Sequence, residues 1–253
     1  MKRLVLAVVV ATAVVSGVCA ADVTEIIRRA EQPFTVERVY SVSTMTTYDG
    51  DRVDRTMTVE SYSLYTDDTS RSLMIYTDPV RMRGTAYLTI GNDLWVRFGS
   101  TGRVRKLSSS AKSGSAGGSD FSYEDLGEGS GGISASYSSR LLRDSAERND
   151  EQCYEVELTP LPEKDSSYDR LVAYITHDTY RYVAIDYYES GAHTKTLTIG
   201  DYRRSGGIDY PYFLSMESLT KGTRTELATT EVEIGSQAVR ESMFTVQYLE
   251  RLR

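Results

Sequence analysis

Hydrophobic and polar positions alternate with a period of two along most of this chain, the pattern of half-buried strands. It is plainest from Glu151 to Thr159, where Tyr154, Val156 and Leu158 fall on one face and Cys153, Glu155 and Glu157 on the other. Runs rich in Val, Thr, Ser and Tyr extend from Thr35 to Tyr48, Arg52 to Tyr65 and Arg71 to Thr77. Asp49-Gly50, Asp67-Asp68 and Asp78-Pro79 punctuate them as turns. Between Arg81 and Leu107, three short apolar segments are divided by Gly91-Asn92-Asp93 and Gly99-Ser100-Thr101-Gly102, which predicts an antiparallel meander. A second meander covers Leu171 to Thr176, Arg181 to Tyr188 and Thr194 to Tyr202, and a hairpin joins Tyr212–Leu219 to Thr223–Ile234 through Lys221-Gly222. Tyr137 to Asp144 has no decided period.

Three pieces read as helix. Asp22 caps the first, Ile26, Ile27 and Ala30 form its apolar side, and Pro33 stops it. The second is a flap, SDFSYEDL, capped by Ser119 or Asp120 and carrying Phe121, Tyr123 and Leu126. Ahead of it, Ser108 to Gly118 is Ser, Gly, Ala and Lys alone, too poor in apolar groups to offset ordering, so a mobile loop is expected. Gly127 to Gly132 makes another loop. The third piece lies in the tail from Ser236 and ends near Phe244.

About a dozen strands in up-and-down order, with few helices, place the fold in the α+β class as a curved antiparallel sheet. Such a sheet curls, and its concave face needs a cover. The three helical pieces are the candidates for this lid, through Ile26, Ile27, Phe121, Tyr123, Leu126 and Phe244. Met74, Tyr76, Tyr87, Trp95 and Phe98 are candidates to line the concavity beneath. Methionine adapts its shape, and Met45, Met57, Met82 and Met216 also fall on strands or their ends.

Composition then narrows the setting. The first twenty residues have a basic start at Lys2 and Arg3, an apolar run from Leu4 to Val15, and Val18-Cys19-Ala20 before the expected cut. That is the layout of a secretory signal peptide, with residues 21–253 as one domain. Cleavage after Ala20 is expected; lipidation of Cys19 is the alternative, disfavoured by the branched Val18. Losing Lys2 and Arg3 would move the net charge from −7 to −9, which excludes a nucleic-acid partner. Cys153 would then be the only cysteine left, so no internal disulfide forms.

Catalytic chemistry finds no foothold. His177 and His193, the only histidines, sit in or beside turns and have no CxxC, HxxxH or HExxH neighbour. The glycines of 127–132 lack the lysine of a phosphate loop, and the aspartates at 49, 51, 67 and 68 lack the rest of a calcium loop. No catalytic residue, metal or cofactor is expected. A basic cluster, Arg97, Arg103, Arg105 and Lys106, stands out in an acidic chain as a candidate docking surface for an acidic partner or lipid headgroup. Arg97 should share a strand face with Trp95.

The run from Gly84 to Leu126 carries a resemblance: the Leu94-Trp95 strand, the turn Gly99 to Val104, the strand end Lys106 to Ser109, and the helix start Gly118 to Tyr123. It resembles the LolA-like outer-membrane lipoprotein-sorting proteins, and the leader, first helix and Met243-Phe244-Thr245 are similar too. The resemblance implies an unclosed half-barrel with a helical lid, whose cavity holds acyl chains in transit across the periplasm, and no catalysis. It implies a periplasmic monomer working between an inner-membrane release complex and an outer-membrane acceptor. Ala116-Gly117 replaces the bulky residue usual before the flap, implying a looser hinge. The rival readings are a carrier of another lipid serving an inner-membrane exporter, a non-carrying envelope scaffold, and an enzyme with a polar cluster in the cavity.

Overall fold

The computed structural model describes residues 22–66, 69–128, 132–164 and 166–252. The expected leader, the Asp67-Asp68 turn and the centre of the 127–132 loop lie outside the described residues. Helix α1, Val23–Ala30, starts where Asp22 accepts a hydrogen bond from the Thr24 amide at 3.0 Å, and it buries Ile26, Ile27 and Ala30. Pro33 sits in a single 3-10 turn, Gln32–Phe34, that ends the helical segment.

Thirteen strands follow among the described residues. The first six are β1 (Arg38–Asp49), β2 (Arg52–Thr66), β3 (Thr69–Asp78), β4 (Ala86–Ile90), β5 (Asp93–Arg97) and β6 (Val104–Lys106). The other seven are β7 (Tyr137–Arg148), β8 (Glu151–Pro160), β9 (Arg170–Thr176), β10 (Tyr182–Glu189), β11 (Ala192–Ser205), β12 (Ile208–Ser218) and β13 (Thr223–Ile234). All belong to one antiparallel sheet in the order β6-β5-β4-β3-β2-β1-β13-β12-β11-β10-β9-β8-β7. The up-and-down order therefore holds within each half, while β1 pairs with β13 to join two meanders. Strand β7 lacked a clear period because its register shifts twice, near Arg143 and before Ala146.

The connection from β6 to β7 joins the two edges of the sheet, and it contains α2 (Ser109–Lys112) and α3 (Tyr123–Glu128). The mobile loop expected there is instead folded. Ala116 is fully buried, Ser115 bridges Ser122, and the Arg55 guanidinium donates to the Gly117 carbonyl at 3.1 Å. Gly117 has φ +63°, and a Cβ on it would meet the Tyr76 hydroxyl at 2.8 Å. Ala116-Gly117 thus lets the segment press onto Tyr76, the reverse of a looser hinge. The cap of α3 is neither Ser119 nor Asp120 but Ser122. Its hydroxyl accepts from the Asp125 amide at 3.0 Å while the Asp125 carboxylate accepts from the Ser122 amide at 2.6 Å, a reciprocal capping pair.

Both faces of the sheet are apolar, with separate cores. The inner one gathers Met45, Met57, Val59, Tyr76, Tyr87, Ile185 and Met216 under Ile26, Ile27 and Phe121. The outer one gathers Leu64, Leu73, Ala86 and Leu88 under Val239, Met243, Phe244 and Leu249. The tail, a 3-10 turn Glu241–Met243 and α4 (Val246–Arg251), therefore covers the outer face. Phe244 is no part of the inner lid. Trp95 packs against the same outer core, and Arg97 shares its face as alternation requires.

Candidate functional site

Between the sheet and its cover lies a cavity of about 200 Å³. Its floor is divided by strand. On β10 to β13 the wall is mostly apolar, with Ile185, Tyr187, Leu197, Ile199, Leu214, Met216 and Leu227, and Tyr182, Tyr210, Pro211 and Thr229 beside them. On β1 to β4 it is Ser41, Ser43, Ser61, Ser63, Ser72 and Thr89, with Met74 and Tyr87 beside them. The cover supplies Phe34, Phe121 and Leu126. The division follows the strands: the inward positions of β1 run Ser41, Ser43, Met45 and those of β2 run Met57, Val59, Ser61, Ser63, so one inner face grades from apolar to hydroxylated.

Four buried carboxylates hold the cover down. Asp120 accepts from the hydroxyls of Thr223 at 2.5 Å and Thr225 at 2.7 Å, both on β13. Glu124 accepts from the Ser166 and Ser167 hydroxyls at 2.5 and 2.8 Å, in the β8–β9 connection. Asp125, whose side chain is 2% exposed, accepts from the Tyr168 hydroxyl at 2.6 Å and from Lys195 of β11 at 3.3 Å. Burial and the adjacent Asp125 push the Tyr168 phenol far above its ordinary range, so it stays a donor. Glu31, at the end of α1, accepts from the amides of Ile133 at 2.6 Å and Ser134 at 2.7 Å, and from the Ser134 hydroxyl. Burial raises the Glu31 carboxyl above its ordinary value, against the lowering effect of those donors.

Among the described residues, the backbone hydrogen bonds of 108–135 begin and end within that segment and its immediate flank. The sheet's ladders do not include it. Its hydrogen bonds to the rest of the described residues each involve at least one side chain, and edge-on ring contacts from Tyr76 to Tyr87 at 5.7 Å and Tyr87 to Tyr123 at 5.3 Å add to them.

The structure sorts the candidate residues. Met74, Tyr87, Phe121 and Leu126 face the cavity, while Ile26, Ile27, Tyr76 and Tyr123 pack in the surrounding inner core. Trp95 and Phe244 lie on the far side of the sheet, and Phe98 is 40% exposed in the β5–β6 turn. The basic cluster also divides. Arg97 is buried and donates to the carbonyls of Gly84 at 2.5 Å and Leu252 at 2.6 Å, so it is a clamp on the tail. Lys106 pairs with Asp93 at 2.7 Å, whereas Arg103 and Arg105 are exposed without an ion pair among the described residues. Sequence reasoning missed the anchoring carboxylates and the hydroxyl wall. Serine at alternate strand positions, where a core face calls for apolar residues, was the available signal for the latter.

Known proteins place this geometry. A family model described as uncharacterized protein-like matches residues 68–251, more than half of the chain. A domain named for outer membrane lipoprotein sorting, from Vibrio parahaemolyticus, is similar with 26% identity over 90% of this chain and 96% of its own, at a TM-score of 0.79. The chain belongs to the family that this model describes, and its fold is LolA-like. A DUF1329 family protein from Desulfovibrio piger is similar at 25% identity, covering 89% of this chain and 96% of that one, with a TM-score of 0.79. For a LolA superfamily protein from Nitrosomonas europaea the values are 22%, 90%, 100% and 0.75, a likeness of fold. No curated protein matches by sequence. The half-barrel of this LolA-like chain is thus the one its sequence resembled, unclosed between β6 and β7.

The two histidines and Cys153 are committed to structure. His177 bonds the Asp144 carbonyl at 2.8 Å, and His193 bonds Thr196 at 2.9 Å. Cys153 is buried, and burial pushes its thiol up to about 11, which keeps it unreactive. Among the described residues no three His, Cys, Asp or Glu gather to hold a metal, and no helix is long and apolar enough to cross a membrane.

Proposed function

We propose that this chain is an exported, single-domain envelope carrier, cut after residue 20, that takes the hydrocarbon of a lipid or lipoprotein into the cavity. It would carry that cargo through the periplasm from an inner-membrane complex towards an outer-membrane acceptor. The supporting observation is a cavity with a mostly apolar wall beneath a cover that, among the described residues, shares no backbone ladder with the sheet. Cargo chains entering from the open side displace Phe121 and Leu126. Each buried methylene contributes about 0.8 kcal/mol towards breaking the carboxylate anchors. Reclosing favours release, so an acceptor need supply only part of the work. The exposed Arg103 and Arg105 are the proposed contact for an acidic acceptor. The reading assigns the chain no catalysis, metal or cofactor, and it works as a monomer.

The closed cavity is smaller than the ~300–1,000 Å³ of drug-sized pockets. That size favours a second reading, a carrier of a smaller lipid serving an inner-membrane exporter. Native mass spectrometry of protein purified without detergent from its own envelope tests both. A bound lipid or acylated protein is expected, and its mass separates them. Protein that is bare, and that also fails to take up a fluorescent fatty acid, defeats the carrier reading.

A further inference from the structure

The hydroxyl wall is not needed to close the fold. Ser41 and Thr89 are 8% and 5% exposed and line the cavity, yet neither hydroxyl has a hydrogen-bond partner among the described residues. Ser61, Ser63 and Ser72 on the intervening strands are likewise unpartnered and face the same space. Register sets them side by side: Ser41 lies opposite Ser61, Ser63 opposite Ser72, and Ser72 opposite Thr89. Five hydroxyls therefore form a diagonal band across β1 to β4 that lines the cavity.

These hydroxyls remain open to the cavity, where water can pair them, and a ligand that fills the cavity must replace that water. Strand amides and carbonyls beside the band are consumed by the ladders, so they cannot serve. A plain hydrocarbon chain would leave all five hydroxyls desolvated, at a cost for each. Across the cavity, Ile185, Leu197, Ile199 and Leu214 offer no polar group, and the polar groups on that side are the tyrosine phenols, among them the buried Tyr182 hydroxyl without a hydrogen-bond partner among the described residues, and Thr229, which is bonded to Ser43. The site is amphipathic across its width.

We infer that the cavity selects an amphiphile with neutral oxygens, a hydroxylated glyceride or similar polyol lipid, whose hydroxyls lie along Ser41, Ser61, Ser63, Ser72 and Thr89. Its hydrocarbon lies against β10 to β12. The inference deepens the carrier reading and rests on it: a lipid does enter this cavity. Serine and threonine carry no charge, so the band recognises hydroxyl and ester oxygens rather than phosphate or carboxylate. A donor that is also an acceptor suits a hydroxyl partner best.

The test compares two short probes that share an octanoyl ester, 1-octanoylglycerol and methyl octanoate, by displacement of a fluorescent fatty acid from the full mature chain. Two extra hydroxyl contacts predict about tenfold tighter binding of the glyceride. In Ser61→Ala/Ser63→Ala/Ser72→Ala, and separately in Thr89→Val, that preference should shrink towards parity while the methyl ester binds as before or better. Melting temperature reports on folding, and the preference of the unmodified protein needs no variant at all. Equal binding of both probes by the unmodified protein overturns the inference and leaves the carrier reading standing. A preference that survives both variants overturns it as well. If the fluorescent lipid binds but neither probe displaces it, the inference is overturned and the carrier reading stands; if that lipid does not bind and the purified protein is also bare, the carrier reading fails and the inference falls with it.

Discussion

Asp120 meets Thr225 twice: its amide donates to the threonine hydroxyl at 2.9 Å, and its carboxylate accepts from the same hydroxyl at 2.7 Å. The Thr225 side chain is fully buried, so this contact pins the cover to β13 beside the join of the two meanders. Joining the two positions covalently should fix the cover. Asp120→Cys/Thr225→Cys, oxidised, is expected to take up no fluorescent fatty acid, and reduction should restore uptake. Equal uptake in both redox states would show that cargo enters without moving this segment. Cys153 is buried and leaves the assay clean.

Gly132 has φ +83°, and a Cβ there would sit 2.6 Å from the Glu31 carboxyl. Gly132→Ala should therefore expel Glu31 from its three donors and cost about 1–3 kcal/mol. Urea denaturation measures the loss. Faster cleavage of the 107–136 connection by protease should accompany it.

Glu31 also sets a pH dependence. Burial raises its carboxyl above the ordinary 4.5. The folded chain therefore keeps this proton at pH values where the unfolded chain has released it. Its stabilising contribution is complete below the ordinary value and is lost as pH rises through the raised one. Glu31→Gln keeps the shape without the titration. Melting temperatures plotted against pH should show the unmodified protein losing ground to the variant above pH 4.5; parallel curves would contradict the assignment.

Arg97 holds the tail through the Gly84 and Leu252 carbonyls. Arg97→Ala orphans both acceptors and should cost about 2–4 kcal/mol, against less than about 0.5 kcal/mol for the exposed Arg105→Ala. Similar urea midpoints for the two would remove the clamp from the account.

Arg103 and Arg105, by contrast, touch neither core. Charge reversal of both is expected to slow transfer of bound lipid to acceptor membranes while leaving uptake and melting temperature unchanged. Loss of uptake in parallel would argue against a docking role.

Local pattern carried a great deal of this structure. Strand bounds at Thr223–Ile234, the Asp22 cap and the Asp49-Gly50 hairpin were legible because period, cap and turn chemistry act over a few residues. The β1–β13 pairing was not, since a ladder between residues nearly two hundred apart leaves no local trace. The face covered by the tail was equally hidden. Leu73 and Ile75 alternate with Met74 and Tyr76, so β3 is apolar on both sides and period alone cannot say which side is inner. Within the candidate site, the aromatic flap residues were legible as something that must be covered. Of the acids among them only Asp120 was read, as a cap, whereas Asp120, Glu124 and Asp125 point inward to hydroxyls 40 to 105 positions away, a relation only the fold creates.

The connection that carries the cover is also the only covalent link between β6 and β7, the two margins of the sheet. Severing the backbone there would leave each half with its meander intact and the β1–β13 ladder still zipped between them. The molecule should consequently behave as a natural split protein, whose two fragments, made separately, find each other and rebuild the sheet.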